Sequence, residues 1–166
     1  MSTDTCLIRR GVEADCEAVV GIYNAAVPGR LATADTEPVA VSEKREWFER
    51  HTAQRPIWVA EQDDRLLGWV SLEPFYGRPA YAQTVEVSLY LHPDAQGRGL
   101  GKRLLRHVLE QAPGLGVTHL VAYIFAHNTP SLGLFHAFGF EDWGLLPHIA
   151  RMDGRRYSLS ILGREV

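Results

Sequence analysis

At 166 residues, 46% hydrophobic and 22% charged, the chain has the size and make-up of one ordinary globular domain, which excludes a disordered polymer. Its net charge of -3 leaves no global basic field for a polyanion, so nucleic acid is not an expected partner and any phosphate recognition must be local. The opening "MSTDTCLIRR" lacks the apolar core of a signal peptide and no stretch approaches the ~18 apolar residues of a membrane helix, so a cytoplasmic protein without membrane contact is expected.

In chain order, "TCLIRRG" has the apolar centre of a strand, and "VEADCEAVVGIYNAAV" repeats Val12, Cys16, Val19, Val20 and Tyr23 at helical spacing. Cys6 and Cys16 flank that junction without metal-site spacing and read as buried thiols, and the histidines show no ligand spacing either, so no metal is expected. "PGRLATADTEP" is a loop, and Ser42 reads as the N-cap of a helix over "EKREWFERHTAQ" that turns Trp47 and Phe48 inward. "PIWVAEQ" and "RLLGWVSLEPF" are strands joined at an Asp63-Asp64 turn. In "TVEVSLYLH", Val85, Val87, Leu89 and Leu91 alternate with Glu86, Ser88, Tyr90 and His92, giving one apolar face and one polar face. A helix with Leu100, Leu104, Leu105, Val108 and Leu109 on one stripe ends at Pro113-Gly114. The strand "THLVAYIFA", the short helix "NTPSLGLFHAF" and the strands "FEDWGLL" and "RYSLSILG" complete the chain. This order predicts one mixed sheet with helices on both faces.

Between the alternating strand and the leucine helix lies "HPDAQGRGLGKRLL", a glycine turn of the kind that aims backbone N–H groups and a helix N-terminus at an anion. A phosphate loop of the G-x-x-x-x-G-K-[ST] type fails, because Gln96 stands at its first glycine and Arg103 at its Ser or Thr. The G-x-G-x-x-G dinucleotide pattern fails at Lys102. Gln96, Gly99 and Gly101 meet Q/R-x-x-G-x-G/A, a pattern that binds the pyrophosphate of coenzyme A, although a plain structural turn satisfies the same spacing.

Together with "NTPSLGLFHAFGF" further along, this turn resembles the GNAT acyltransferase superfamily over most of the chain. The resemblance implies an α/β (α+β) GNAT fold over residues 1–166 as a single domain, with a mixed, mostly antiparallel sheet of six or seven strands. It implies acetyl-CoA as co-substrate, held in a V-shaped opening by Leu89, Tyr90 and Leu91, with the pyrophosphate on Gln96, Gly97, Arg98, Gly99, Leu100, Gly101 and Lys102. Asn128 and Ser131 would lie beside the pantetheine arm, and Arg103 is a further candidate for phosphate contact or a solvated charge.

Within the superfamily, "PFYGRPAYAQTVEVSLYL", "YNAAV" and "TEP" resemble phosphinothricin acetyltransferases and relatives that acetylate methionine sulfoximine or sulfone. This implies a small amine or amino-acid acceptor rimmed by Phe75, Arg78 and Tyr81, Glu86 as general base in a direct transfer, and a homodimer. A carboxyl of ordinary pKa, about 4.3, is a weak base for an ammonium, so burial or a relaying water would be required. A backbone N–H near Leu89 would meet the oxyanion. Where the family often has Tyr or His to protonate the departing thiolate, this chain has Phe135; His136, one helical step of about 100° away, and solvent remain as donors. "RLATA" departs from the family's acceptor-loop pattern, which leaves open another acceptor, such as a polyamine, an antibiotic amine or a protein N-terminus, or a non-catalytic acyl-CoA sensor.

Overall fold

The computed structural model describes residues 5–166. Seven strands form one sheet in the order β1-β2-β3-β4-β5-β7-β6. They are β1 (Leu7–Arg10), β2 (Ile57–Gln62), β3 (Arg65–Pro74), β4 (Thr84–Leu91), β5 (His119–Phe125), β6 (Glu141–Met152) and β7 (Arg155–Glu165). All neighbours are antiparallel except β4 and β5. The helices are α1 (Cys16–Ala26), α2 (Val41–Glu49), α3 (Leu100–Gln111) and α4 (Thr129–Ala137).

The alternation within the strands divides the core into two layers. Val70, Leu72, Val85 and Val87 face α3 and α4, where Leu100, Leu104, Leu105, Val108 and Phe135 cover them. Val59 and Trp69 face the opposite side, against Val19, Val20 and Ile22 of α1 and Phe48 of α2. Cys6 and Cys16 are both buried free thiols. No helix among the described residues is long and apolar enough to cross a membrane.

The β2–β3 hairpin closes through Asp63 and Asp64, both at positive φ (53° and 60°), the backbone a two-residue hairpin turn requires. The second helix starts earlier and ends sooner than its sequence implies. Ala40, not Ser42, is the extended N-cap, and α2 stops at Glu49. Ser42 lies inside the first turn, because Ala40 already supplies the carbonyl that accepts from the Glu43 amide (3.1 Å). The strand seen as "FEDWGLL" extends to Met152, with irregular pairing around Trp143 and around Pro147, which has no amide hydrogen to give a ladder.

Between α1 and α2 the chain is fastened over the sheet. Asn24 clamps Val39 with two hydrogen bonds, donating to its carbonyl (2.8 Å) and accepting from its amide (2.9 Å). Tyr90 of β4 donates to the Ala32 carbonyl (2.9 Å) and Asn128 to the Leu31 carbonyl (3.1 Å). This loop therefore roofs the end of the sheet where β4 and β5 part.

Candidate active site

The parallel pairing of β4 with β5 covers only Thr84↔His119, Val85↔Leu120 and Glu86↔Val121. Beyond Glu86, β4 keeps its ladder with β3 as far as Leu91, while β5 keeps its own with β7 as far as Phe125. One edge of β4 from Val87 to Leu91 thus faces a gap between the strands. Backbone groups along such a gap are donors and acceptors for an extended amide-bearing chain.

Two adjoining spaces occupy this opening. The inner one is lined by Glu86, Val87, Ser88, Leu89 and Tyr90 of β4, Ala122, Tyr123 and Ile124 of β5, and Asn128, Ser131 and Phe135 at α4. The outer one, about 390 Å³, continues along Leu89, Tyr90 and Leu91 to Gln96 and Gly97, with Asn128, Pro130, Ser131 and Leu134 opposite. Gly97 (φ 75°) and Gly99 (φ 81°) adopt left-handed backbone, and Gly99 is the N-cap of α3. A Cβ at either would meet nothing within 4 Å, so the turn leaves room for a ligand against its amides. The cleft runs without interruption from the glycine turn at the start of α3 to the strand gap, an elongated opening with backbone donors at one end.

On the α1 and α2 side, a cavity of about 200 Å³ is lined by Val19, Val20, Tyr23, Lys44, Trp47, Trp69, Glu73, Glu86, Ser88 and Tyr90. It shares Glu86, Ser88 and Tyr90 with the inner part of the strand gap. Trp69 stacks on Tyr90 with ring centroids 4.9 Å apart and donates to the Val19 carbonyl (3.0 Å), which fixes the cavity floor. Lys44 holds its ammonium 5.0 Å from the Tyr23 ring centroid and 5.4 Å from that of Trp47, within cation–π range. Two aromatic walls, two carboxylates and one ammonium make a compartment for a small zwitterion.

Glu86 stands between the two compartments. Burial holds its carboxyl above the ordinary carboxylate range, the charge of Glu73 adds to that, and the Ser88 hydroxyl 3.5 Å away opposes it. Glu73 is its direct partner across β3 and β4 and accepts a hydrogen bond from Trp47 Nε1. Tyr23 donates to Asp35, and burial together with that carboxylate pushes its phenol up to about 12. Burial also keeps Tyr90 and Tyr123 protonated above the ordinary phenol range.

The structure brings together Glu86, Leu89, Tyr90, Leu91, Gln96, Gly97, Asn128 and Ser131 around one cleft. Arg98, Gly99 and Lys102 are exposed on the turn, while Leu100 and Gly101 are buried where α3 packs. The Arg103 guanidinium donates to the Cys6 carbonyl (2.9 Å) and so fastens α3 to the chain ahead of β1. Asn128 is buried and committed to the fold, accepting from the Ser131 amide (3.3 Å) while it donates to the loop.

His136 lies away from the cleft. Its side chain is 44% exposed and its Nε2 is 2.9 Å from Asp142, because the preceding residue, Phe135, is the one α4 turns into the core. Phe75, Arg78 and Tyr81 likewise do not line the Glu86 cavity. They border a separate open cleft with Tyr76, where the three aromatic rings pack with centroids 5.8 to 6.0 Å apart. The cavity that Glu86 shares is lined instead by Tyr23, Lys44, Trp47, Trp69 and Glu73, none of which a sequence motif marks. One signal for Glu73 was available: Trp69, Ser71 and Glu73 alternate with Val70 and Leu72, giving β3 a polar face like that of β4.

Comparison with known proteins agrees with this geometry. The Acetyltransferase (GNAT) family model matches residues 19–140. The Bacillus subtilis protein named "Putative phosphinothricin acetyltransferase YwnH" is 51% identical over 160 residues, 96% of this chain and 98% of its own. A Salmonella typhimurium L-methionine sulfoximine/L-methionine sulfone acetyltransferase is 32% identical over 93% of this chain and 91% of its own. The crystal structure of a GNAT superfamily phosphinothricin acetyltransferase from Sinorhizobium meliloti in complex with acetyl-CoA superposes with a TM-score of 0.91 at 30% identity, covering 98% of this chain and 89% of that one.

Proposed function

The chain belongs to the GNAT acetyltransferase family, and from that premise we propose that it moves acetyl from acetyl-CoA directly onto the amino group of a small amino-acid-like acceptor, with Glu86 as general base. It is an N-acetyltransferase whose co-substrate is acetyl-CoA. The observation that carries the mechanism is the position of Glu86, which lines both the strand gap and the cavity under α1 and α2. A thioester in the gap and an amine in the cavity would meet at that carboxylate.

Each step has a residue. The amides of the glycine turn and the start of α3 hold the anionic end of the donor, and the free edge of β4 holds its pantetheine arm. Lys44 takes the acceptor's carboxylate or other anionic oxygen group, while Glu73 and Glu86 attract its ammonium. Glu86 receives a proton from that ammonium, a task its raised carboxyl pKa suits better than an ordinary one would. A backbone N–H near Leu89 serves the developing oxyanion. Phe135 has no proton to give and His136 faces outward, so solvent protonates the thiolate. The phosphinothricin or methionine sulfone class of acceptor follows the names of the relatives and the zwitterionic lining of the cavity. The enzyme works as a cytoplasmic homodimer, a reading supported by the exposed apolar side chains of β6: Trp143, Leu145 and Ile149 are 45%, 56% and 58% exposed.

The test is release of CoA thiol from acetyl-CoA across amino-acid analogues, polyamines, antibiotic amines and peptides. Saturable turnover with methionine sulfone or phosphinothricin supports the reading, and turnover confined to another amine changes the acceptor. Tight acetyl-CoA binding with no turnover on any amine would point to a non-catalytic sensor.

A further inference from the structure

Glu73 is shared by two cavities. On one side it lines the acceptor cavity with Glu86; on the other it lines a separate cleft of about 490 Å³, bordered by Arg50, His51 and Arg55 beside the C-terminal end of α2. His51 lines that cleft with its side chain only 5% exposed. Its Nδ1 lies 3.2 Å from the Phe48 carbonyl, which can only accept, so Nδ1 carries a hydrogen. In the neutral ring Nε2 is then a bare lone pair. That atom is buried, has no hydrogen-bond partner and lies 3.8 Å from Glu73 Oε1. A buried acceptor facing a carboxylate is unfavourable unless a proton passes between them, and orphaned groups of this kind are rare enough to need a reason.

We propose that Glu73 and His51 form the exit for the proton taken from the acceptor ammonium, leading from Glu86 through the Glu73 carboxylate to His51 Nε2 and out into the cleft beside α2. The reading rests on acetyl transfer with Glu86 as base. In the first step an N–H bond of the ammonium breaks, its electron pair stays on nitrogen, and Glu86 gains the proton. Glu73, opposite Glu86 in the β3–β4 register, takes that proton and restores the Glu86 carboxylate. His51 Nε2 then accepts it, the Nδ1 hydrogen leaves to water in the cleft as its bond to the Phe48 carbonyl opens, and a turn of the ring restores the starting tautomer.

The surroundings bias the route outward. Burial disfavours a charged His51 ring, and Arg50 on the same helix end repels it, whereas the Phe48 carbonyl and Glu73 stabilise it. Arg55 lines the same cleft, and Lys44 and Tyr23 face the acceptor cavity on the far side of Glu73. A proton reaching His51 is therefore not retained. Trp47 fixes the geometry, donating to Glu73 and packing edge-on against His51 with centroids 5.0 Å apart.

The test uses the full-length protein, acetyl-CoA and an amine that the wild type acetylates. His51→Ala should lower kcat about 100-fold, the low end of what one proton-transfer group contributes, and leave KM for acetyl-CoA unchanged. Added imidazole, entering by the cleft, should restore most of that loss, with rescue increasing as the imidazole free base increases with pH. Imidazole should not rescue Glu86→Gln. Glu73→Gln should lower kcat and move the acid limb of kcat/KM to lower pH, because the negative charge that helps hold the Glu86 proton is removed. His51→Gln keeps polar volume but cannot relay a proton, so it serves if the alanine variant is poorly folded. Wild-type turnover in His51→Gln, or a folded His51→Ala whose lost activity imidazole leaves untouched, overturns the relay. Full activity in Glu86→Gln would instead overturn the general-base reading, so the two failures are distinct.

Discussion

Glu86 shows how far one side chain depends on its neighbours. Its place after Thr84-Val85 was legible in the sequence, and so was its position on the polar side of an alternating strand. Its raised carboxyl pKa was not, because burial and the facing Glu73 exist only once β3 pairs with β4. A base acts in its ionised form, so activity falls as pH drops through that raised pKa, and the acid limb of kcat/KM should lie above the ordinary carboxylate range. Glu86→Gln should cut kcat by about 100-fold or more with KM for acetyl-CoA within about twofold; undiminished turnover at neutral pH removes Glu86 from the chemistry. Lys44 makes a second claim at this scale. Exchanging it for Met should raise KM for an amino-acid acceptor by about tenfold, the worth of one charge-assisted hydrogen bond. KM for the corresponding carboxamide should hardly move, and an equal rise for both would show that the ammonium only packs against Tyr23 and Trp47.

Among the elements, the glycine turn was the most legible. Gln96, Lys102 and Arg103 stand where the nucleotide patterns need other residues, and Gly97 and Gly99 do adopt backbone that side chains avoid. Gly99→Ala forces a Cβ into the left-handed region at a cost of about 1–2 kcal/mol, either straining or unwinding the start of α3. Titration should show weaker acetyl-CoA binding with KM for the acceptor unaltered, and unchanged acetyl-CoA affinity would mean the turn does not grip the donor. The start of α2 differs from its sequence signal for a local reason: Ser42 is a good cap by chemistry, but Ala40 has the extended backbone and the carbonyl position (φ -76°, ψ 148°) that the cap needs. The helical pattern of the sequence likewise runs on past Glu49, although Arg50 already caps the end there.

For the whole molecule, the decisive feature is the parting of β4 and β5 after Glu86, each strand following its other neighbour. The same sheet leaves β6 as an edge with Leu145 and Ile149 outward, which is costly surface for a lone chain. Leu145→Arg combined with Ile149→Asp should convert a dimer to a monomer in sedimentation without unfolding it; a wild type that sediments as a monomer would sink the dimer reading. The strand and helix types, the glycine turn ahead of α3 and the placement of Glu86 on the polar side of β4 were legible in the chain alone, since periodicity and glycine spacing are local properties of neighbouring residues. Not legible there were the cavity that α1 and α2 enclose beside Glu86, the placement of Phe75, Arg78 and Tyr81 outside it, and the position of His51 behind Glu73. Those facts depend on which faces meet when helices some 30 to 60 residues distant from β4 fold over it, and only tertiary packing decides that.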